Sequence, residues 1–289
     1  AYARHFGGEF VLRIEDTDVA RSNEDSVSQI LASMKWLGLN YDEGPIYQMQ
    51  RLDRYQEVVD QLIAEGKAYR CYATPEELTE MREAQKARGE KTLYDRRWRP
   101  EPGKVLPTPP EGVKPVIRFA NPVDGVVSWD DLVKGPITVA NSELDDLVLL
   151  RGDGIPTYNF GVVIDDWDMG ITHVIRGEDH LSNTAKHLAL FQAFGVPAPR
   201  YAHIPLILNE DGSKMSKRDT GAALTYYMDN GYAPEAVVNY LSLLGWSPKD
   251  GREVIPLKEL IGDFDLPQIL RHVADQLEAD NRSKQQRLS

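Results

Sequence analysis

Two lysines, an arginine and a serine fall within five residues at Lys214-Met215-Ser216-Lys217-Arg218, just after Gly212-Ser213. At about 5% usage per residue type, a specified string of this length arises in such a chain with odds of roughly 10⁻⁴. On a loop, these cations could close over a polyphosphate and stabilise the charge that develops in phosphoryl or nucleotidyl transfer. A short basic cluster can also be a mere solvated turn. The rarity of the string favours the chemical reading.

A second candidate lies in Val174-Ile175-Arg176-Gly177-Glu178-Asp179-His180. Arg176 sits where an apolar strand ends, and ligands of open parallel sheets bind at the carboxyl edge of their strands. A guanidinium there can grip a carboxylate bidentately, as an ammonium cannot. A salt bridge to Glu178 or a nearby aspartate accounts for it equally well. His180, beside a helix start, reads as a polar cap. Another strand ends in Glu15-Asp16-Thr17-Asp18. Asp16 and Asp18 read as turn and cap residues, whereas Glu15 is best placed to meet an ammonium group in the ligand crevice. Tyr158 is either core or a hydroxyl pointing into that crevice. The pair Asp165-Asp166 lacks a second acidic cluster to make a metal site with it, and reads as a solvated helix face.

The elements that would carry these residues follow from hydrophobic period and punctuation. A strand over Glu9 to Ile14 follows the Gly7-Gly8 turn. Ile30, Leu31, Met34 and Leu37 recur at helical spacing after a cap-like Ser22-Asn23-Glu24-Asp25 and before Gly38. Further helices are expected over Leu52 to Ala64 and, from the Thr74 cap with Pro75, through about Arg88. Prolines at 100, 102, 107, 109, 110 and 115 mark an extended connection. Short strands are expected at Val116–Phe119, Val126–Trp129 and Ile137–Val139. From Pro156 the alternation resumes. A helix through Phe160, Ile164 and Trp167 ends at Gly170, and a strand follows over Ile171 to Ile175. A helix over Asn183 to Phe194 ends at Gly195, a strand runs over Tyr201 to Leu208, and an apolar helix spans Pro234 to Leu244. Such strand–helix alternation indicates an α/β fold.

Composition sets the outer bounds. The chain has 289 residues, 33 basic and 45 acidic, for a net charge of −12. Its 42% hydrophobic and 27% charged content excludes a disordered or fibrous chain. No apolar run approaches the roughly 20 residues of a membrane span, and the opening Ala1-Tyr2-Ala3-Arg4-His5 carries no secretory signal pattern. The single cysteine, Cys71, excludes an internal disulfide and a multi-thiolate zinc site. A cytoplasmic protein is expected. The acidic balance argues against a general nucleic-acid coat, but Lys86, Arg88, Lys91, Arg96, Arg97 and Arg99 could form a local groove for phosphates. There is no Gly-x-x-x-x-Gly-Lys-Ser/Thr loop, no Gly-x-Gly-x-x-Gly after a strand and no Gly-x-Ser-x-Gly elbow.

Taken in order, Arg13-Ile14-Glu15-Asp16-Thr17-Asp18, Tyr41-Asp42-Glu43-Gly44-Pro45, Pro156-Thr157-Tyr158-Asn159-Phe160, Val174 to His180 and Lys214 to Arg218 resemble bacterial glutamyl-tRNA synthetases over about residues 1 to 272. The resemblance implies a Rossmann-type class I synthetase catalytic domain with an inserted α+β acceptor-binding domain and a following helical region. It divides the chain into a first catalytic part over 1–70, an acceptor-stem-binding insert over 71–155, a second catalytic part over 156–220, and a helical tRNA stem-contact region with a polar tail over 221–289. The implied reaction attaches L-glutamate to tRNA(Glu) through a glutamyl-adenylate, with ATP as co-substrate and Mg²⁺ on its phosphates. By position, Glu15, Tyr158 and Arg176 would hold glutamate, Arg176 on the side-chain carboxylate and Glu15 on the α-amino group. Asp179 and Ile207 would line the ATP site. Lys214, Met215, Ser216, Lys217 and Arg218 match the family's "KMSKS" loop and would bind ATP, with Lys214, Lys217 and Arg218 catalytic and Lys217 foremost in stabilising the transition state.

Three departures from the family pattern shape the expectations. Its "HIGH" signature would precede Gly7-Gly8, and the sequence does not contain it. A zinc cluster that some relatives carry in the insert is reduced to Cys71, with Arg96-Arg97-Trp98-Arg99 holding no ligands, so no zinc is expected. The anticodon-binding domain would follow where this chain stops. The chain therefore reads as a piece of such a synthetase lacking both ends, a monomer with no membrane contact. Two rivals remain: a glutamyl-queuosine tRNA(Asp) synthetase-like paralogue, whose motifs differ at residues 14–18 and 214–218, and a non-catalytic tRNA-binding module.

Overall fold

The computed structural model describes residues 1–18, 24–207, 223–266 and 269. After a short helix α1 (Tyr2–His5), strand β1 (Val11–Ile14), helix α2 (Glu24–Trp36) and strand β2 (Glu43–Tyr47) form a β-α-β unit. The two strands are parallel, with Ile14 opposite Tyr47. Their approach is close at Gly44, where φ is +113° and a Cβ would lie 2.3 Å from the Leu12 carbonyl oxygen. Only glycine fits such a backbone. Gly44→Ala should therefore lower the unfolding free energy by about 1–3 kcal/mol from backbone strain, with the steric clash adding to it. Urea unfolding measures this, and an unchanged midpoint would contradict it.

Helix α3 (Leu52–Ala64) follows with the bounds that its sequence pattern predicts. It buries Tyr55, Val58, Val59 and Leu62, which share one face at helical spacing. Strand β3 (Ala68–Cys71) precedes helix α4 (Pro75–Ala87), opened by a reciprocal Thr74–Glu77 capping box. Residues 88–115 contain no helix or strand, which from Arg99 onward is what their prolines predict. Strands β4 (Val116–Phe119), β5 (Val126–Asp131), β6 (Gly135–Ala140) and β7 (Val148–Leu150) come next. An antiparallel sheet runs β3-β4-β7, while β5 and β6 form a hairpin.

Helix α5 (Tyr158–Asp168), strand β8 (His173–Gly177), helix α6 (Leu181–Phe194) and strand β9 (Arg200–Ile204) build a second β-α-β unit. Strands β8 and β9 are parallel, with Arg176 directly opposite His203. Strand β8 starts later than its apolar run predicts, because the Ile171 N–H closes the end of α5 on the Asp166 carbonyl. Strand β9 ends earlier than expected: Pro205 follows it and cannot donate to a ladder. Helices α7 (Leu224–Asp229), α8 (Pro234–Leu243) and α9 (Leu257–Asp263) complete the described elements.

One core joins α3, α5 and α6 to the antiparallel sheet through Tyr55, Val59, Phe160, Val163, Ile164 and Leu190. A second packs Trp246, Leu260 and Leu266 on Ala202 of β9 and on Val133 from the hairpin turn. No helix among the described residues is long and apolar enough to cross a membrane.

Candidate active site

Arg176 stands near the carboxyl end of β8, half-buried. Its Nε donates to His203 Nε2 at 3.2 Å, and one Nη donates to Thr184 Oγ1 at 2.8 Å and to the His180 carbonyl at 3.3 Å. The guanidinium also lies over the Tyr201 ring, 5.3 Å from its centre. These partners are all neutral. The bridge to Glu178 that the sequence leaves open does not form, because Glu178 pairs with Lys134. A cation held by neutral groups at a strand's carboxyl end is suited to an incoming anion.

Tyr158 opens α5 on the same side. At 38% exposed it is not core, and its hydroxyl lies 3.5 Å from His180 Nδ1. Burial raises its pKa, and the nearby Glu15 charge adds to the rise against the opposing pull of Arg176. Glu15, Tyr158 and Arg176 are thus brought together from the end of β1, the start of α5 and the end of β8. Glu15 is held from behind by Arg13, at 3.3 Å.

Arg13 is in turn anchored to Asp166 at 2.9 Å, which corrects the reading of Asp165-Asp166 as a solvated face. Asp165 is fully buried and Asp166 6% exposed. Asp165 accepts from Gln48 Nε2 and Arg51 Nε at 2.7 Å each, and from the Tyr55 hydroxyl at 3.0 Å. Burial raises the Asp166 carboxyl, with the Arg13 charge pulling against it. These aspartates tie β1, the segment after β2 and α3 to α5. They are scaffolding beneath the crevice.

Asp179 lies in the turn Glu178–His180 after β8. Its carboxylate folds back so far that a Cβ at Gly177 would sit 2.7 Å from Oδ1. The Leu206 N–H points at Glu178 Oε1 at 3.5 Å, so the backbone just before Ile207 approaches this turn; Ile207 itself is exposed. His180 supplies no side-chain cap to α6. It contacts Tyr158 and Asn183 instead. Lys214, Met215, Ser216, Lys217 and Arg218 lie outside the described residues.

Several residues around the site were not legible in sequence. His203, fully buried on β9, bonds Asp131 Oδ2 through Nδ1 at 2.5 Å. Burial holds His187 down to about 3, and its ring lies 6.0 Å from that of Tyr158. The expected basic groove changes character as well. Arg96 and Arg99 bind the buried Asp146, and Arg97, Arg88 and Lys91 pair with Asp95, Glu90 and Glu143. Arg96 and Arg99 are thereby structural. Among the described residues no group of three or more His, Cys, Asp and Glu is placed to hold a metal ion.

The sequence and the fold both have known relatives. The family described as tRNA synthetases class I (E and Q), catalytic domain, matches residues 1–282. A glutamate–tRNA ligase of Thiobacillus denitrificans is 59% identical over 93% of this chain and 57% of its own length. One from Aromatoleum aromaticum is 60% identical, covering 93% and 58%. The chain thus spans less than three fifths of these relatives. A crystal structure of a glutamate tRNA ligase from Elizabethkingia meningosepticum, in complex with its amino acid, superposes with a TM-score of 0.82 at 36% identity, over 92% of this chain and 60% of that one. Glutamate-tRNA synthetase from Elizabethkingia anophelis gives 0.81 at 36%, over 92% and 61%. With parallel β-α-β units, a candidate site at their strand ends and a family match over nearly its whole length, the chain belongs to the class I tRNA synthetases for glutamate and glutamine, through their catalytic domain.

Proposed function

We propose that this chain carries the amino-acid-activating site of a glutamate–tRNA ligase. The observation that carries the reading is Arg176: a half-buried guanidinium with neutral partners, facing Tyr158 and Glu15 at the strand ends. Relatives bearing the name glutamate–tRNA ligase support the choice of glutamate over other carboxylates and disfavour the queuosine-type paralogue. Arg176 takes the side-chain carboxylate, Glu15 the α-ammonium, and the Tyr158 hydroxyl orients the bound amino acid. Asp179 and the backbone at Ile207 border the ATP site, and Lys214 to Arg218 close over its phosphates.

The glutamate α-carboxylate attacks the α-phosphorus of ATP, forming glutamyl-adenylate and releasing pyrophosphate. A terminal ribose hydroxyl of tRNA(Glu) then takes the acyl group and AMP leaves. No covalent enzyme intermediate is needed, so rate comes from positioning and charge stabilisation. Mg²⁺, which commonly rides on substrate phosphates with few protein ligands, would neutralise charge there. Residues 1–70 and 156–220 form the two parts of the catalytic domain, 71–155 the acceptor-stem insert and 221–289 a tRNA-contact region. We place the protein in the cytoplasm and treat it as a monomer.

The test is glutamate-driven, tRNA-dependent ATP–pyrophosphate exchange. Lys217→Ala should lower its rate by about 10²-fold or more, the scale for removing one transition-state charge partner, with little change in glutamate KM. An unchanged rate would remove Lys217 from the chemistry.

A further inference from the structure

Arg176 is held by a closed circuit of hydrogen bonds whose directions depend on one proton. Asp131, the last residue of β5, is 4% exposed, and His203 on β9 is fully buried. Asp131 uses its two oxygens separately. Oδ1 accepts the backbone N–H groups of Val133, Lys134 and His203 at 3.1, 3.0 and 3.1 Å. Oδ2 meets His203 Nδ1 at 2.5 Å. A carboxylate can only accept, so Nδ1 carries a proton.

On the other edge of the ring, Nε2 faces the Arg176 Nε–H at 3.2 Å and the Thr184 hydroxyl at 3.1 Å. Arginine can only donate; Nε2 must therefore be bare. Thr184 Oγ1 accepts from the Arg176 Nη and gives its own proton to Nε2, which closes the circuit. Nε2 can accept only in the neutral Nδ1–H tautomer, where its one lone pair is shared by the Arg176 Nε–H and the Thr184 hydroxyl. A proton on Nε2 would set donor against donor at Arg176.

We propose that Asp131 and His203 are positioning residues for substrate recognition: by fixing the bare Nε2 edge against the Arg176 Nε–H, they aim the remaining guanidinium donors at the substrate carboxylate. The inference rests on the reading of Arg176 as the carboxylate holder. The surrounding charges support it. His203 faces Asp131 from β5, Arg176 from β8 and His180 from the turn after it, with Tyr201 stacked beside it on β9. Burial is the largest influence on the ring and, with Arg176 and His180, keeps it below the ordinary histidine value although Asp131 pulls upward. Burial would raise Asp131, but its bonds to His203 and the backbone N–H groups outweigh this and hold it low.

The test uses Asp131→Asn. Asparagine can keep Oδ1 on the three backbone donors, while Nδ2 would donate to His203 Nδ1 and drive the ring proton to Nε2. Glutamate KM in tRNA-dependent exchange should rise about tenfold, the scale of coupling within a shared hydrogen-bond network, with ATP KM nearly unchanged. In the wild-type protein, glutamate KM should climb as pH falls below the free histidine value of about 6.5, and His203→Gln should flatten that climb. Independently of activity, imidazole ¹⁵N shifts of wild-type His203 should report the neutral Nδ1–H tautomer at pH 7.5. An Nε2–H tautomer or an imidazolium there would overturn the proposal whether or not Asp131→Asn folds. So would a well-folded Asp131→Asn with unaltered glutamate KM. If instead Arg176→Leu spares glutamate preference, the reading of Arg176 fails, and the tautomer result is untouched by it.

Discussion

Arg176→Leu is expected to raise the glutamate KM on the order of 10²-fold and to erase the preference for glutamate over glutamine. The reason is the chemistry of the pair. Removing one partner of a buried, hydrogen-bonded charge pair costs about 2–5 kcal/mol. Leucine keeps the stem's bulk but offers the substrate carboxylate no donor, so a charged side chain would be desolvated without compensation. Glutamine, being neutral, loses less, and the two substrates should converge. Exchange kinetics with each amino acid measure this. A mutant that still prefers glutamate would remove Arg176 from recognition. The loss should not be one of folding, since the partners left behind are neutral and two of them, Thr184 and His203, still bond each other at 3.1 Å.

Asp165→Ala should have the largest effect on stability. The carboxylate is fully buried and gathers Gln48, Arg51 and Tyr55 from two segments far away in sequence. Breaking a buried charge network from one side costs about 3–5 kcal/mol, because its partners stay behind unpaired. For a domain of this size that corresponds to a fall in Tm on the order of 10 °C. The Tyr55 hydroxyl, raised by burial and by the charge of Asp165, would lose its acceptor. Thermal unfolding followed by circular dichroism measures the effect, and a fall of only a degree or two would show that the network is dispensable. Arg13 lies in the same cluster, 3.7 Å from Asp165 and 2.9 Å from Asp166. The hold on Glu15 should loosen with it.

How much of this was legible in the sequence depended on how local each signal is. Helix α3 could be bounded in advance because its apolar stripe lies within its own residues and Gly66 follows two residues after it, and the Thr74 cap of α4 is equally local. Arg176 and Glu15 stood out because each follows an apolar strand, and strand ends are where open α/β sheets bind ligands. The burial of Asp165 and Asp166 could not be read, since a helical acidic pair looks the same whether it meets water or two arginines, here Arg13 and Arg51. Those arginines lie more than a hundred residues earlier in the chain. The Asp131–His203 pair was hidden for the same reason: 72 residues separate its members, and no spacing rule links a hairpin end to a distant strand. Arg96 and Arg99 misled in the opposite direction. Their density suggested a phosphate groove, whereas a single buried carboxylate, Asp146, binds both.

The most direct measurement of the central claim is a calorimetric titration of the wild-type chain with L-glutamate and L-glutamine in turn, with tRNA present. Glutamate should bind saturably and glutamine at least about tenfold more weakly, the minimum expected when a charge-assisted pair of about 1.5–3 kcal/mol is replaced by a neutral contact. Equal affinity for the two amino acids, or no binding of glutamate, would contradict that claim.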